Sequence, residues 1–137
     1  MATGSASAGA QSSETTIGDW FDAFNHRDLD GMLARFDAAI EFRPLRFPGI
    51  DHVYRGHEGI RAWFAAITEA DHVHRIDADK FTAMDDGRIL VSGSVSLAAV
   101  GGIAPFSGIY TVEGGRIRVA AHYFTPSTVL QRLGIIE

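Results

Sequence analysis

Four short constellations in this sequence carry groups able to move a proton, hold an anion or ligate a metal. His122 lies in the run Arg116 to Phe124, and an imidazole serves as general base or acid near neutral pH. Tyr110 alternates with Phe106 and Gly108, so the three share one side of a strand and the phenol reaches toward His122. Glu41 and Arg43 share a strand face near a pocket mouth. They read either as a mutual ion pair or as an arginine that holds a substrate carboxylate or enolate. His72-Val73-His74 places two imidazoles on one strand face, the spacing of some metal sites. A metal needs a third ligand, which only His52, His57 or an acidic residue supplies. With cysteine absent, the structural reading is preferred: no metal is expected, and His74 is a polar group lining a cavity.

The elements that position these groups fall into two halves. Ile17, Trp20, Phe21 and Phe24 sit at i, i+3, i+4 and i+7; so do Leu29, Met32, Leu33 and Phe36, and so do Ile60, Trp63, Phe64 and Ile67. Each set puts four large apolar groups on one helical face, so three helices require a partner surface. Thr15 or Thr16 is expected to cap the first helix, which ends near Asn25, and Asp28 to cap the second. Ala39 to Arg43 reads as a strand ended by Pro44, and the third helix runs from about His57 to Ala70. From His72 the period changes to that of strands. His72 to Met84, Arg88 to Val100, Ala104 to Glu113 and Arg116 to Phe124 are joined by Asp86-Gly87, Gly101-Gly102 and Gly114-Gly115, which accept the positive φ of tight hairpins. Val129 to Leu133 reads as a last helical turn stopped by Gly134. The order α-α-β-α-β-β-β-β suits an α+β fold, helices on one face of a curved antiparallel sheet, with a hollow on its concave side.

Bulk properties narrow the partners. The 137 residues carry a net charge of −5 with Lys80 the only lysine, which excludes the basic clusters that nucleic acid or an anionic membrane surface requires. No stretch is long enough to span a bilayer. Absence of cysteine removes thiolate chemistry and fits a reducing cytoplasm. Residues 1–14, rich in Ala, Ser, Gly and Thr, read as a disordered tail before a single domain over 15–137. Ser92, Ser94 and Ser96 alternate with apolar residues and sit in no strand-turn-helix elbow, so a serine nucleophile is not expected. The glycine pairs precede no helix, so no nucleotide cofactor is expected either.

The element order, with Asn25-His26-Arg27-Asp28-Leu29-Asp30-Gly31 between the first helices and Tyr54-Arg55-Gly56-His57-Glu58-Gly59-Ile60 opening the third, resembles the nuclear transport factor 2-like superfamily. Within it, the chain is most similar to the SnoaL-like polyketide cyclase and ketosteroid isomerase branch, over Ile17 to Ile135. The resemblance implies a conical barrel: a curved, mostly antiparallel sheet wrapped around three N-terminal helices, with a deep apolar pocket and commonly a homodimer. The ketosteroid isomerase set does not carry over, because its tyrosine, aspartate base and protonated aspartate fall at Trp20, Arg43 and Gly108.

The resemblance also turns Ala120, His122 and Phe124 into the cone. Strand alternation argues the opposite, since Ile117, Val119, Ala121 and Tyr123 form the more apolar face and would turn His122 outward. The family registration is preferred, because the outer face of such a sheet is often an apolar dimer interface. The expectation is a cofactor-free cyclase, isomerase or dehydratase acting on a hydrophobic polyketide- or terpenoid-like small molecule. His122 would transfer the proton with a pH dependence near neutrality, and Arg43 and Tyr110 would stabilise oxyanion charge. Trp20, Phe24, Trp63, Phe106 and Phe124 would form the wall, and His52, Tyr54 and His74 its polar rim. The alternative is a non-catalytic binding module in which His122 is a polar anchor. An epoxide hydrolase would need two carboxylates flanking an arginine, and only Glu41 beside Arg43 approaches that.

Overall fold

A computed structural model of the chain describes residues 2–47, 50, 52–70, 73–97 and 101–132. The elements in order are α1 (Ala2–Asn25), α2 (Leu29–Arg35), β1 (Phe36–Arg43), β2 (Tyr54–Arg55), α3 (Gly56–Ala70), β3 (Val73–Ala83), β4 (Ile89–Leu97), β5 (Gly102–Glu113), β6 (Arg116–Tyr123) and α4 (Ser127–Arg132). The fold is α+β. Six strands form one curled sheet in the order β2-β1-β6-β5-β4-β3, and β2 and β3 end it as edges, so the sheet does not close. Strands β3 to β6 are an antiparallel meander, and β1 joins β6 in parallel.

The elements differ from the sequence reading in several places: β1 opens at Phe36 rather than Ala39, β2 is an additional strand, and Gly102 opens β5 rather than sitting in the turn before it. The first helix starts at Ala2, and neither threonine begins it: Thr16 Oγ1 donates to the Ser12 carbonyl at 3.1 Å, a bond made inside a helix. No proline interrupts residues 2–14, so nothing in the chain stops that helix from extending backward. The second helix is shorter, because Phe36 turns extended and opens β1 while staying fully buried. Asp28 caps α2 as expected, its carboxylate accepting from Gly31 N–H at 3.0 Å. Gly134, the expected stop after α4, lies outside the described residues.

The helical faces close over the concave side of the sheet. Ile17, Trp20, Phe21, Phe24, Met32, Ile60, Trp63 and Ile67 join the same core as Val91, Val95, Phe106, Tyr110 and Ala120. Burying side chains of this size stabilises by roughly 1.5–3 kcal/mol each.

The stretch between α1 and α2 clasps the far edge of the sheet. The Asn25 amide donates to the Ile76 carbonyl at 2.8 Å and its oxygen accepts from Ile76 N–H at 2.9 Å, which covers the open edge of β3. Arg27, at φ 56°, donates to the Phe24 and Val73 carbonyls at 2.7 and 2.8 Å, bonds that hold an otherwise unfavourable backbone. Asn25→Ala is therefore expected to lower stability by about 1–3 kcal/mol in urea unfolding, because it strands two backbone groups of β3. A change below a few tenths of that range would show that the clasp holds nothing.

Candidate active site

His122 points into the cone, and an extra residue in its strand is the reason. Along β6, Ile117 is buried, then Ala120, then His122, so the inward phase slips once between 117 and 120. At that place Thr111 of β5 pairs with Val119 while the next residue, Val112, pairs with Ile117, which leaves Arg118 as a bulge. Arg118 is held there by donating to the Ala39 carbonyl at 2.6 Å. Alternation counted from Ile117 fails because the bulge reverses it.

Both ring nitrogens of His122 are engaged. Nδ1 lies 2.8 Å from the Arg43 carbonyl, which can only accept, so Nδ1 carries the proton. Nε2 of the neutral ring is then an acceptor, and the Tyr110 hydroxyl donates to it at 2.9 Å. Burial pushes the His122 pKa down to about 4, only partly offset by the Arg43 carbonyl. The near-neutral titration expected from the sequence is thus displaced into acid. Burial also pushes the Tyr110 phenol well above its ordinary value. The Trp20 indole N–H opposes this, although it makes no hydrogen bond of ordinary geometry.

Gly108 makes the pair possible. It sits opposite His122 across β5 and β6, and a Cβ at that position would meet the Tyr110 hydroxyl at 2.5 Å. A side chain there would push the phenol off the imidazole.

Around the pair, the cone is filled rather than hollow. Phe106 stacks on His122 at 5.6 Å between centroids, Phe42 approaches it at 5.0 Å and Trp20 at 5.8 Å. Phe42 also packs 4.5 Å from Trp63, which in turn lies 5.6 Å from Phe24. The remaining void, lined by these rings and His122, measures about 10 Å³, about room for one water. The indole N–H groups of Trp20 and Trp63 are buried with no partner among the described residues.

The open space lies outside, at the end of β6. A cleft of about 330 Å³ is lined by Arg43, Arg46, His52, Phe124 and Thr125, with His122 at its inner wall. Among the described residues, His122 is the one common to the cleft and the interior void. The Arg43 side chain is 54% exposed and gives Nε and Nη2 to one Glu41 oxygen at 3.1 and 2.9 Å, while Arg55 takes the other. Arg43 is the member of that ion-paired cluster that lines the cleft, and its backbone carbonyl is what touches His122. Two paired cations hold the Glu41 carboxyl below its usual pKa, chiefly through the Arg43 hydrogen bond.

Of the other residues singled out in the sequence, Trp20, Phe24, Trp63 and Phe106 are core. Phe124 packs edge-on against Phe47 at 5.3 Å beside the cleft, and His52 lies over buried Tyr54 at 4.1 Å. His72 and the side chain of His74 lie outside the described residues. Among the described residues no three His, Asp or Glu side chains group as metal ligands. Phe42 and Arg46 went unnoticed in the sequence. Alternation of Ile40 and Phe42 against Glu41 and Arg43 was the signal for the first; no pattern marks Arg46.

The family profile of the SnoaL-like domain matches residues 17–120. The chain belongs to the SnoaL-like domain family. No curated protein matches the sequence significantly. Solved structures similar to this SnoaL-like chain include a nuclear transport factor 2-like protein of unknown function from Burkholderia pseudomallei, at 22% identity and TM-score 0.70 over 88% of this chain and 95% of that one. A Sinorhizobium meliloti protein provisionally named polyketide cyclase gives 20% identity and TM-score 0.68 over 80% and 94%. TerC, co-crystallised with polyporic acid, gives 21% identity and TM-score 0.70 over 89% and 97%. At these identities the likeness is one of fold.

The depressed His122 pKa has a stability consequence. The unfolded chain binds a proton on this imidazole near pH 6.5 and the folded chain only near 4, so protons favour unfolding between those values. The contribution is fully present above pH 6.5 and is lost as pH falls toward 4, at a slope of about 1.4 kcal/mol per pH unit. His122→Phe is expected to flatten that part of the stability curve. An identical slope in wild type and variant would show that the ring is not buried neutral.

Proposed function

We propose that this SnoaL-like protein is a cofactor-free enzyme that moves protons on a hydrophobic, polyketide-like small molecule. The observation that carries this reading is the buried, neutral His122 accepting a hydrogen bond from Tyr110 at the wall between cleft and cone. The tautomer makes Nε2 the basic atom, and Tyr110, which lines neither the cleft nor the interior void at rest, would relay protons to it once substrate displaces the packing. A substrate C–H gives its proton to the Tyr110 oxygen while the Tyr110 proton passes to Nε2; the electron pair stays on the substrate as an enolate. Reversal at a second carbon isomerises the substrate, and expulsion of a β-hydroxyl from the enolate, its oxygen taking back the proton from His122 through Tyr110 to leave as water, dehydrates it.

A base whose conjugate acid has a pKa of about 4 suits carbon acids flanked by carbonyl groups, which is the character of a polyketide. The indole N–H groups of Trp20 and Trp63, which have no partner among the described residues, suit an enolate oxygen. Substrate would enter from the cleft past His122 and displace the aromatic packing above it. The provisional name of the Sinorhizobium protein and the polyporic acid in the TerC crystal favour the same ligand class. The reading also carries a homodimer in a reducing cytoplasm, and native mass spectrometry gives both the subunit count and any bound hydrophobe.

A non-catalytic binding module is the second reading. The full burial of Tyr110 favours it, since both partners of the dyad are occupied and covered at rest. Deuterium wash-in at the methylene of ethyl benzoylacetate, which lies between two carbonyl groups, separates the two. Wild type should accelerate exchange, with a rate that rises through pH 4 and is flat above it. Tyr110→Phe and His122→Gln should each remove about a hundredfold or more of the acceleration while circular dichroism is unchanged. No acceleration by wild type, or equal rates in the variants, would leave the binding module.

A further inference from the structure

We propose that the cleft outside His122 selects organic anions, so that the ligand is a flat hydrophobe bearing a carboxylate or an ionised enol. The chain as a whole repels such a ligand, with 17 acidic side chains against 12 basic ones. The cleft reverses that sign. Arg43, Arg46 and His52 line it, and no carboxylate is among its described lining residues. Another hollow, of about 280 Å³, shows the contrast, with Asp19, Asp22 and Asp28 set against the single arginine Arg35.

Among the described residues, the carboxylate paired with Arg43 does not cancel the charge, because Glu41 is shared between Arg43 and Arg55 and the trio keeps a net positive charge. Glu41 takes two of the five N–H groups of Arg43, so its guanidinium is fixed in place with donors left over. Arg46 has no ion-pair partner among the described residues. Between the cations the walls are apolar, from Pro44, Val53, Ala121 and the Phe124 ring that Phe47 steadies. At about 330 Å³ the space holds a fused pair of rings with one charged group. Clustered cations on a low-dielectric wall raise the local concentration of anions and weaken with salt.

This inference adds a charge to the substrate class read above, but its test is binding and needs no turnover. β-Naphthoate and its neutral methyl ester are titrated calorimetrically into the full chain at low and high salt. The acid is expected to bind about tenfold tighter or more, with the difference shrinking as salt rises. Arg46→Gln and Arg43→Gln should each erode the preference without weakening the ester, and Arg132→Gln, on α4 away from the cleft, should keep it. Equal affinity for acid and ester, a preference that survives both cleft substitutions, or no binding of either probe at millimolar concentration overturns the inference. Anion preference without proton exchange removes the catalytic reading alone; exchange without anion preference removes this one alone.

Discussion

One inserted residue in β6 sets the character of this protein's interior. Without the bulge at Arg118, the strand would keep the phase that starts at Ile117, and Val119, Ala121 and Tyr123 would face the helices. His122 would then stand on the convex side in contact with water, an ordinary surface imidazole. Because a slip of one residue turns every later side chain over, the bulge exchanges a tyrosine for a histidine at the centre of the aromatic core. The tautomer, the depressed basicity and the contact with Tyr110 all follow from that exchange.

Keeping an imidazole in such a place has a physical cost that four features offset. Its two nitrogens are both satisfied, one by a backbone carbonyl at the end of β1 and one by a phenol on β5. The ring stays neutral, so no buried charge needs compensation. Its faces are covered by Phe106, Phe42 and Trp20, for which it is nearly as good a packing partner as another aromatic ring. Gly108 contributes through absence of bulk, since any Cβ there would occupy the space of the Tyr110 hydroxyl.

The scaffold was legible in the sequence because its signals are local. Helical spacing identified Trp20, Phe24, Ile60 and Trp63, and the hairpin glycines marked every turn of the meander. The Asn25 to Asp28 stretch was recognisable as a family mark and Asp28 as the α2 cap, but the clasp on β3 depends on a strand about fifty residues away and could not be read. The site was half legible. Tyr110 was placed beside His122 by alternation, whereas the inward direction of His122 came from the family registration against alternation, because the bulge leaves no residue-type signature. That the cone would be filled rather than hollow depends on Phe42 and both tryptophans meeting from three elements, a non-local fact.

The pairing of both tryptophans has an optical consequence. The chain contains two, packed 6.5 Å apart, with Trp20 edge-on to the His122 ring. Its entire indole emission therefore originates within one side chain of the candidate base. A neutral imidazole leaves such emission largely intact, and an imidazolium or a bound quinonoid ring quenches it by accepting an electron. The core is in this sense its own fluorophore, and the wavelength and intensity of its light register what happens at a single nitrogen.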